Sequence, residues 1–572
     1  MKPGFGRIQN IFMGGGSLPE WAKSPYFALP STGVSLIVGQ EVTIYGDSLI
    51  NVPIDNDLTV TYTCDIGTQS GNNFVIDPVD GNIGNHTLTI VFRNAGRIIT
   101  IQVITLSVFP LAKTVTKKIL MVGDSLVHAG MANNYYQPKF ASTLTNCTIT
   151  WLGTQDVGDG YPHEGHDGFS WGIFANNSAA PTLISPFFKA GVLNIGAYFT
   201  DNSIATPNYV VINLGVNDVF GQSNPSGDGL TVAELATIIV NAKKLVDGFL
   251  AFDPNLKIII GLPPSCDSTG AAWIGLYGTT RNPDLHIENT QKLRSAYVTT
   301  FANGVYNLRV DCSYEQINLD RDNGYPKTGG VHTNDVHPNK TGYEQLAVGM
   351  AMKLNQIIYQ DVIRDGNTAA WFIADELTTI TKDGGNQVSL WKDYLNSGND
   401  IAQSNASYKP TWSLSGISFT GNDFLRNASI ASLIQPTFIY MVVRQDIFSD
   451  AGIYFDGNTI NYGALKTRTV DTDLSGYAGT YLVNSNNNLG SFLILRVLWN
   501  GANSSIQVNE TAKIIGDAGT RNMDGITIGA SGTGDGYYGS KITVKEAIFR
   551  NINDSAIDET VIYNYLKAKY SL

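Results

Sequence analysis

Apolar residues fall in three rhythms along the chain. From about residue 25 to 110 they come in short runs rich in Val, Ile and Thr, at 34–38, 41–45, 58–64, 86–92 and 97–109, separated by turn residues such as Asn94-Ala95-Gly96. No helical period is present, so this segment reads as the strands of a small β-sandwich. From about 117 to 360 the runs become continuously apolar, as at 118–122, 209–214 and 257–262, with helical segments between them. Thr231 with Glu234 three positions on forms a capping box, and Leu235, Ile238, Ile239, Ala242, Leu245, Val246 and Phe249 then share one face. After Pro338 a second stripe holds Tyr343, Leu346, Met350, Leu354 and Ile357. Uniformly apolar strands alternating with helices predict a parallel sheet covered on both sides. From about 365 to the end the pattern returns to strands and polar turns, for example 438–443 and 492–499, and closes on a short helix opened by Ser555 and Asp558. That segment is large enough for a jelly-roll sandwich.

Composition narrows the classes. The 572 residues carry 37 Lys+Arg against 49 Asp+Glu, a net charge of −12. An acidic chain without a basic run argues against nucleic acid or an anionic membrane as the main partner. The 59 glycines suit turn-rich β structure. Cys64, Cys147, Cys266 and Cys312 are widely spaced, with no C-x-x-C pair, so neither a zinc ribbon nor a disulfide scaffold is expected. No run is long enough to span a membrane. Residues 1–6 lack the apolar stretch of a secretory signal, which leaves a cytoplasmic site or release by lysis or as part of a particle. The glycine-rich run Met13-Gly14-Gly15-Gly16 lies in an N-terminal extension, where it is either an attachment segment or disordered.

The central segment carries the chemistry. The buried strand at 118–122 runs into Gly123-Asp124-Ser125-Leu126 and then a helix-compatible stretch. In an open α/β sheet, functional groups gather at the carboxyl ends of the strands. A serine on such a turn lies beside the free N–H groups of a helix start, and becomes a nucleophile if a base is near. A second buried strand ends in Gly215-Val216-Asn217-Asp218, placing an amide donor at the same edge. Between them runs the loop His163-Glu164-Gly165-His166-Asp167-Gly168-Phe169, whose glycines let backbone N–H groups approach a ligand. Asn334-Asp335-Val336-His337-Pro338-Asn339 sets a histidine at the start of the last helix. Nucleophile, oxyanion donors and base thus come in workable order.

This order resembles the GDSL or SGNH hydrolases, with Ser125, Gly168, Asn217 and His337 in the four blocks. The resemblance implies a flavodoxin-like α/β/α domain and ester hydrolysis through an acyl-enzyme. It also implies an oxyanion hole of the Ser125 N–H, the Gly168 N–H and the Asn217 side chain, with no metal or organic cofactor. The family places Asp three residues before the histidine, where this chain has Asn334. Three arrangements would orient the imidazole: the Asn334 side-chain oxygen, the adjacent Asp335 carboxylate, or a backbone carbonyl.

The literal string Gly46-Asp47-Ser48-Leu49 serves as a control. It lies in the N-terminal β segment and is succeeded by Ile50-Asn51-Val52-Pro53, which starts no helix, so Ser48 is read as a strand-end turn. His163 and His166 with Asp159 and Asp167 invite a metal reading. Their spacing falls in a glycine-rich loop with no distant third ligand, so a pocket-shaping loop is preferred. His128 is expected to pack near the helix start, and His332 either lines the cleft or is a plain loop residue.

The flanking segments resemble an immunoglobulin-like domain and, on Val388-Ser389-Leu390-Trp391-Lys392-Asp393 and Val544-Lys545-Glu546-Ala547-Ile548-Phe549, a concanavalin A-like (laminin G-type) sandwich. Trp391, Trp412 and Trp499 are equally compatible with a core or with sugar stacking. The resulting organisation is an extension over 1–24, an Ig-like β-sandwich over 25–112, an SGNH hydrolase over 113–362 and a lectin-like sandwich over 363–572. The function expected is that of a serine esterase removing O-acetyl groups from a carbohydrate or bacterial surface polysaccharide. The alternative is a phage tail or receptor-binding protein that adheres to glycans with weak or lost turnover. Homo-oligomer or virion assembly is compatible with either.

Overall fold

The computed structural model describes residues 33–572 except 50–57, 95, 112–114, 157, 159, 177–182, 222–228, 254–255, 268–272, 274–276, 278–280, 302–305, 307–308, 327–335, 469 and 488. Asn334, Asp335, His332, Asp159 and the extension over 1–24 lie outside the described residues. The chain divides into two compact units, Met1–Ile357 and Ile358–Leu572.

In the first unit, Val34–Ile37, Leu58–Thr63, Gly84–Asn94 and Arg97–Phe109 form a four-stranded sheet, and Val42–Ile44, Thr68–Ser70 and Asn73–Ile76 a three-stranded one. Alternate residues of the long hairpin point inward, so Leu88, Ile90, Phe92, Ile104 and Leu106 are buried. This β segment joins the α/β segment directly. The Tyr45 N–H donates to the Ile317 carbonyl (3.0 Å), Asn318 Nδ2 to Thr43 O (3.1 Å) and Arg321 Nη1 to Asp47 O (2.7 Å).

The α/β segment is built on a wholly parallel sheet. Strand Val115–Gly123 is flanked on one side by Cys147–Leu152 and Glu164–Gly165, and on the other by Tyr209–Asn213, then Lys257–Gly261, then Val310–Ser313. Counting the first two neighbours as one position, the order is the doubly wound 2-1-3-4-5. Ile119–Val122, Tyr209–Ile212 and Ile258–Ile260 are all buried, as continuous apolar runs require. Helix Val232–Phe252 starts at the expected capping box, with the Glu234 N–H donating to Thr231 Oγ1 (3.3 Å) and the Thr231 N–H to Glu234 Oε2 (2.9 Å). Its buried face holds Ile238, Ala242, Leu245, Val246, Phe249 and Leu250. Helix Lys340–Ile363 buries Tyr343, Leu346, Met350, Leu354 and Ile357, the stripe read from the sequence.

The second unit is β-rich. An eight-stranded sheet centred on Thr437–Ile447, Phe492–Trp499 and Lys541–Arg550 faces a nine-stranded sheet across one apolar core, which includes Phe372, Trp391, Ile439, Leu465, Trp499 and Ile528. Trp391 and Trp499 are therefore core residues, and Trp412 packs at the margin. The closing helix is longer than its polar start indicated, Ala556–Tyr570. It lies along the first sheet, held by Arg496 on Glu559 (3.1 Å) and Lys569 on Glu546 (2.7 Å). Among the described residues no helix is long and apolar enough to cross a membrane.

Candidate active site

Strand Val115–Gly123 ends where helix Ser125–Ala132 begins, and Asp124 is the residue between them. Its side chain accepts from the Leu126 N–H (2.9 Å), capping the helix and fixing the turn that presents Ser125. The second Asp124 oxygen is buried without a partner among the described residues, and burial holds this carboxyl up at about 7.

The strand register sets what surrounds the turn. Gly165 pairs with Gly123 on one side and Asn213 pairs with it on the other, so the glycine loop and the Asn217 helix leave the sheet at the same edge as Ser125. Gly165 has no room for a side chain: a Cβ there would stand 2.4 Å from the His128 nitrogen. Gly168 has φ +77°, a left-handed conformation that disfavours any Cβ. The loop is tied to the sheet by the His166 N–H on Gly123 O (3.0 Å), and His163 at its start exchanges two backbone bonds of 2.9 Å with Gln155.

Ser125 and His337 meet. His337 Nε2 lies 2.8 Å from Ser125 Oγ, although 212 positions separate them in the chain. The segment just C-terminal to the histidine holds it in place. Asn339 caps helix Lys340–Ile363 by accepting from the Gly342 N–H (3.1 Å), and its Nδ2 donates to Asn323 O (2.7 Å). Asn217 sits in helix Val216–Phe220, and its Nδ2 donates to Phe169 O (2.9 Å), linking the third block to the residue after Gly168. One Nδ2 hydrogen is left for a ligand. Asp218 accepts from the Trp171 N–H (3.3 Å), and burial raises its carboxyl to about 7.

Sequence reasoning missed Glu164, the anchor of the glycine loop. It is fully buried, and its Oε1 accepts from Tyr198 OH (2.6 Å) and the Thr154 N–H (2.6 Å) while its Oε2 holds His166 Nε2 (2.8 Å). The signal was a glutamate between two histidines, but Thr154 and Tyr198 lie 10 and 34 positions away, too far for local pattern to reveal them.

Two further histidines serve the same loop. His163 Nδ1 accepts from the Gly165 N–H (2.9 Å), and burial pushes its imidazole down to about 4, so it stays neutral. His128 pairs with Asp167 (2.9 Å). Among the described residues no three His, Cys, Asp or Glu side chains are grouped to hold a metal ion.

Ser48 lies elsewhere, in the short helical turn Gly46–Ser48, where its hydroxyl donates to Leu319 O (2.5 Å). Its neighbour Asp47 faces Arg321. The second GDS string is thus part of the contact between the N-terminal β segment and the α/β segment.

The doubly wound sheet thus brings a serine turn and a histidine together at its carboxyl edge. Residues 119–349 match the family of GDSL-like lipases and acylhydrolases. No curated protein matches the sequence. Among solved structures, a family 3 carbohydrate esterase from Talaromyces cellulolyticus is 17% identical over 43% of this chain and 99% of its own, with a TM-score of 0.27. The Clostridium thermocellum family 3 carbohydrate esterase gives 17%, 43%, 99% and 0.28. Trypanosoma rangeli sialidase is 11% identical over 38% of this chain, with a TM-score of 0.27, and the match spans 39% of the sialidase.

Proposed function

We propose that the chain is a serine esterase that removes O-acetyl groups from a carbohydrate. The observation that carries the esterase reading is the 2.8 Å approach of His337 Nε2 to Ser125 Oγ at the carboxyl edge of the parallel sheet. The imidazole takes the hydroxyl proton as Ser125 Oγ attacks the acetyl carbonyl. The Ser125 and Gly168 N–H groups and the Asn217 amide hold the oxyanion. His337 then protonates the departing sugar oxygen, and water repeats the sequence on the acyl-enzyme to release acetate. For orienting the imidazole, the three arrangements read from the sequence remain the candidates: Asn334, Asp335 or a backbone carbonyl.

The carbohydrate assignment rests on the resemblance of the flanking segments to an immunoglobulin-like domain and a concanavalin A-like sandwich. The test is acetate release from acetylated bacterial polysaccharide by the full chain. Release that Ser125→Ala abolishes supports the reading. Equal release by both proteins, or none from any acetylated glycan alongside hydrolysis of long-chain esters, overturns it. A glycan adhesin without turnover is the reading left if the wild type cleaves no ester at all.

A further inference from the structure

The outer face of the last three strands of the nine-stranded sheet carries an arrangement that the hydrolase chemistry does not use. Strands Ala464–Arg468, Val470–Tyr477 and Tyr481–Asn484 pair in that order and end the sheet. Leu465, Leu474 and Leu482 point to the core. The alternation therefore sends Lys466, Arg468, Tyr477 and Tyr481 outward. Tyr477 and Tyr481 are cross-strand partners with ring centroids 4.6 Å apart and planes at 54°. Tyr481 is 45% exposed.

Cations frame these rings. Lys466 Nζ stands 5.1 Å from the Tyr481 ring and 5.6 Å from Tyr477, and the Arg468 guanidinium lies 4.7 Å over Tyr481. Exposed Arg521 reaches the group from another loop, 5.3 Å over Tyr462 and 5.6 Å over Tyr477. The nearest polar partners of Lys466 are neutral: Asn461 Oδ1 at 3.1 Å and Tyr481 OH at 3.4 Å. Among the described residues no carboxylate forms an ion pair with Lys466 or Arg521, although acids outnumber bases by 49 to 37 in the sequence.

We infer that this tyrosine–cation face of the second unit binds an acidic oligosaccharide, one whose sugar rings bear carboxylates. A pyranose ring presents C–H groups that pack on a tyrosine face, and Lys466 and Arg521 stand where a carboxylate on that ring or the next would be neutralised. A nucleic acid fits less well. It carries a charge every 3.4 Å or so along each strand and needs many phosphate contacts, whereas this face offers three cations on a strongly acidic chain. The tilted, mutually packed rings also leave no slot for a flat base. The inference is independent of turnover at Ser125, because it is read by binding alone.

The test is affinity electrophoresis of the full chain carrying Ser125→Ala, in gels containing polygalacturonate, hyaluronan, polysialic acid, dextran or oligo(dT). Retardation by at least one of the three acidic glycans and not by dextran is expected. Tyr481→Ala and the pair Lys466→Ala/Arg521→Ala should each weaken it roughly five- to tenfold, while Tyr481→Phe keeps it and all variants keep the parent melting temperature. The inference is overturned if none of the acidic glycans retards the protein, if dextran retards it equally, or if oligo(dT) binds more tightly. Undiminished retardation of Tyr481→Ala would likewise overturn it, because attraction would then need no ring.

Discussion

Glu164 gives the sharpest test of how the glycine loop is held. Replacing it with Ala removes the acceptor of Tyr198 OH, of the Thr154 N–H and of His166 Nε2, three bonds between 2.6 and 2.8 Å around a carboxylate with no exposed surface. Each donor left unsatisfied in a buried site costs about 1–3 kcal/mol. Tyr198 is 3% exposed and bears the full loss, whereas partly exposed His166 recovers some of it in water. A total of about 3–5 kcal/mol is therefore expected, with a melting temperature lower by roughly 6–10 °C. Glu164→Gln keeps the oxygen that serves Tyr198 and Thr154 but turns an NH₂ toward His166, so it should cost less, about 1–2 kcal/mol. Activity should fall with the same ranking. On the proposed reading the loop positions the Gly168 N–H as an oxyanion donor, and one such donor is worth about 10²–10³ in kcat, so a loosened loop should lose roughly 10–100-fold in kcat with little change in KM. Thermal melts and aryl acetate hydrolysis of the two variants read both effects. Wild-type melting and wild-type kcat in Glu164→Ala would refute the role given to this residue.

The remaining predictions concern the other blocks and the buried acids. Ser48→Ala should leave kcat unchanged and lower stability by about 1–2 kcal/mol, because among the described residues its hydroxyl serves only the Leu319 carbonyl; loss of turnover in a folded variant would contradict this. Asn217→Ala should reduce kcat by about 10²–10³, and a stopped assay at saturating aryl acetate checks it. Burial holds the Glu315 carboxyl at about 8 against an ordinary 4.5, and Asp47, Asp124 and Asp218 at about 7. Over the interval between ordinary and shifted values the folded chain keeps protons that the unfolded chain has released. Their contribution is therefore whole below about pH 4 and declines as the pH rises toward 8, by at most about 1.4 kcal/mol per group per pH unit. Melting temperature should fall from pH 5 to pH 8 and fall less in Glu315→Gln; a rise over that interval would contradict the sign.

Much of the α/β segment was legible because its elements are specified locally. The apolar runs at 209–214 and 257–262 have no polar face to solvate, so they read as buried strands, and Thr231 with Glu234 marked a helix start by the same two bonds now observed. The contrast between Ser125 and Ser48 was legible for the same reason: one GDS string leads into a helix and the other does not. The pairing of Ser125 with His337 was visible only through the order of the blocks, since nothing near either residue records a contact across 212 positions. Side chains acting across the fold gave no such signal. Glu164 gathers donors from Thr154, His166 and Tyr198, and Asn217 spends one hydrogen on the Phe169 carbonyl, a bond set by tertiary packing. The joining of Tyr45 and Asp47 to Ile317 and Arg321 was hidden likewise, because segments about 270 positions apart share no periodicity that would announce their contact.

The central claim is that Ser125 is the nucleophile and His337 its base, and a fluorophosphonate that reacts with activated serines tests it most directly. Peptide mass mapping of the labelled full chain should find one adduct, on Ser125. The adduct should persist in Ser48→Ala, vanish in Ser125→Ala and form far more slowly in His337→Ala. An adduct on another serine with Ser125 unmodified, or equal labelling of wild type and Ser125→Ala, would contradict the account.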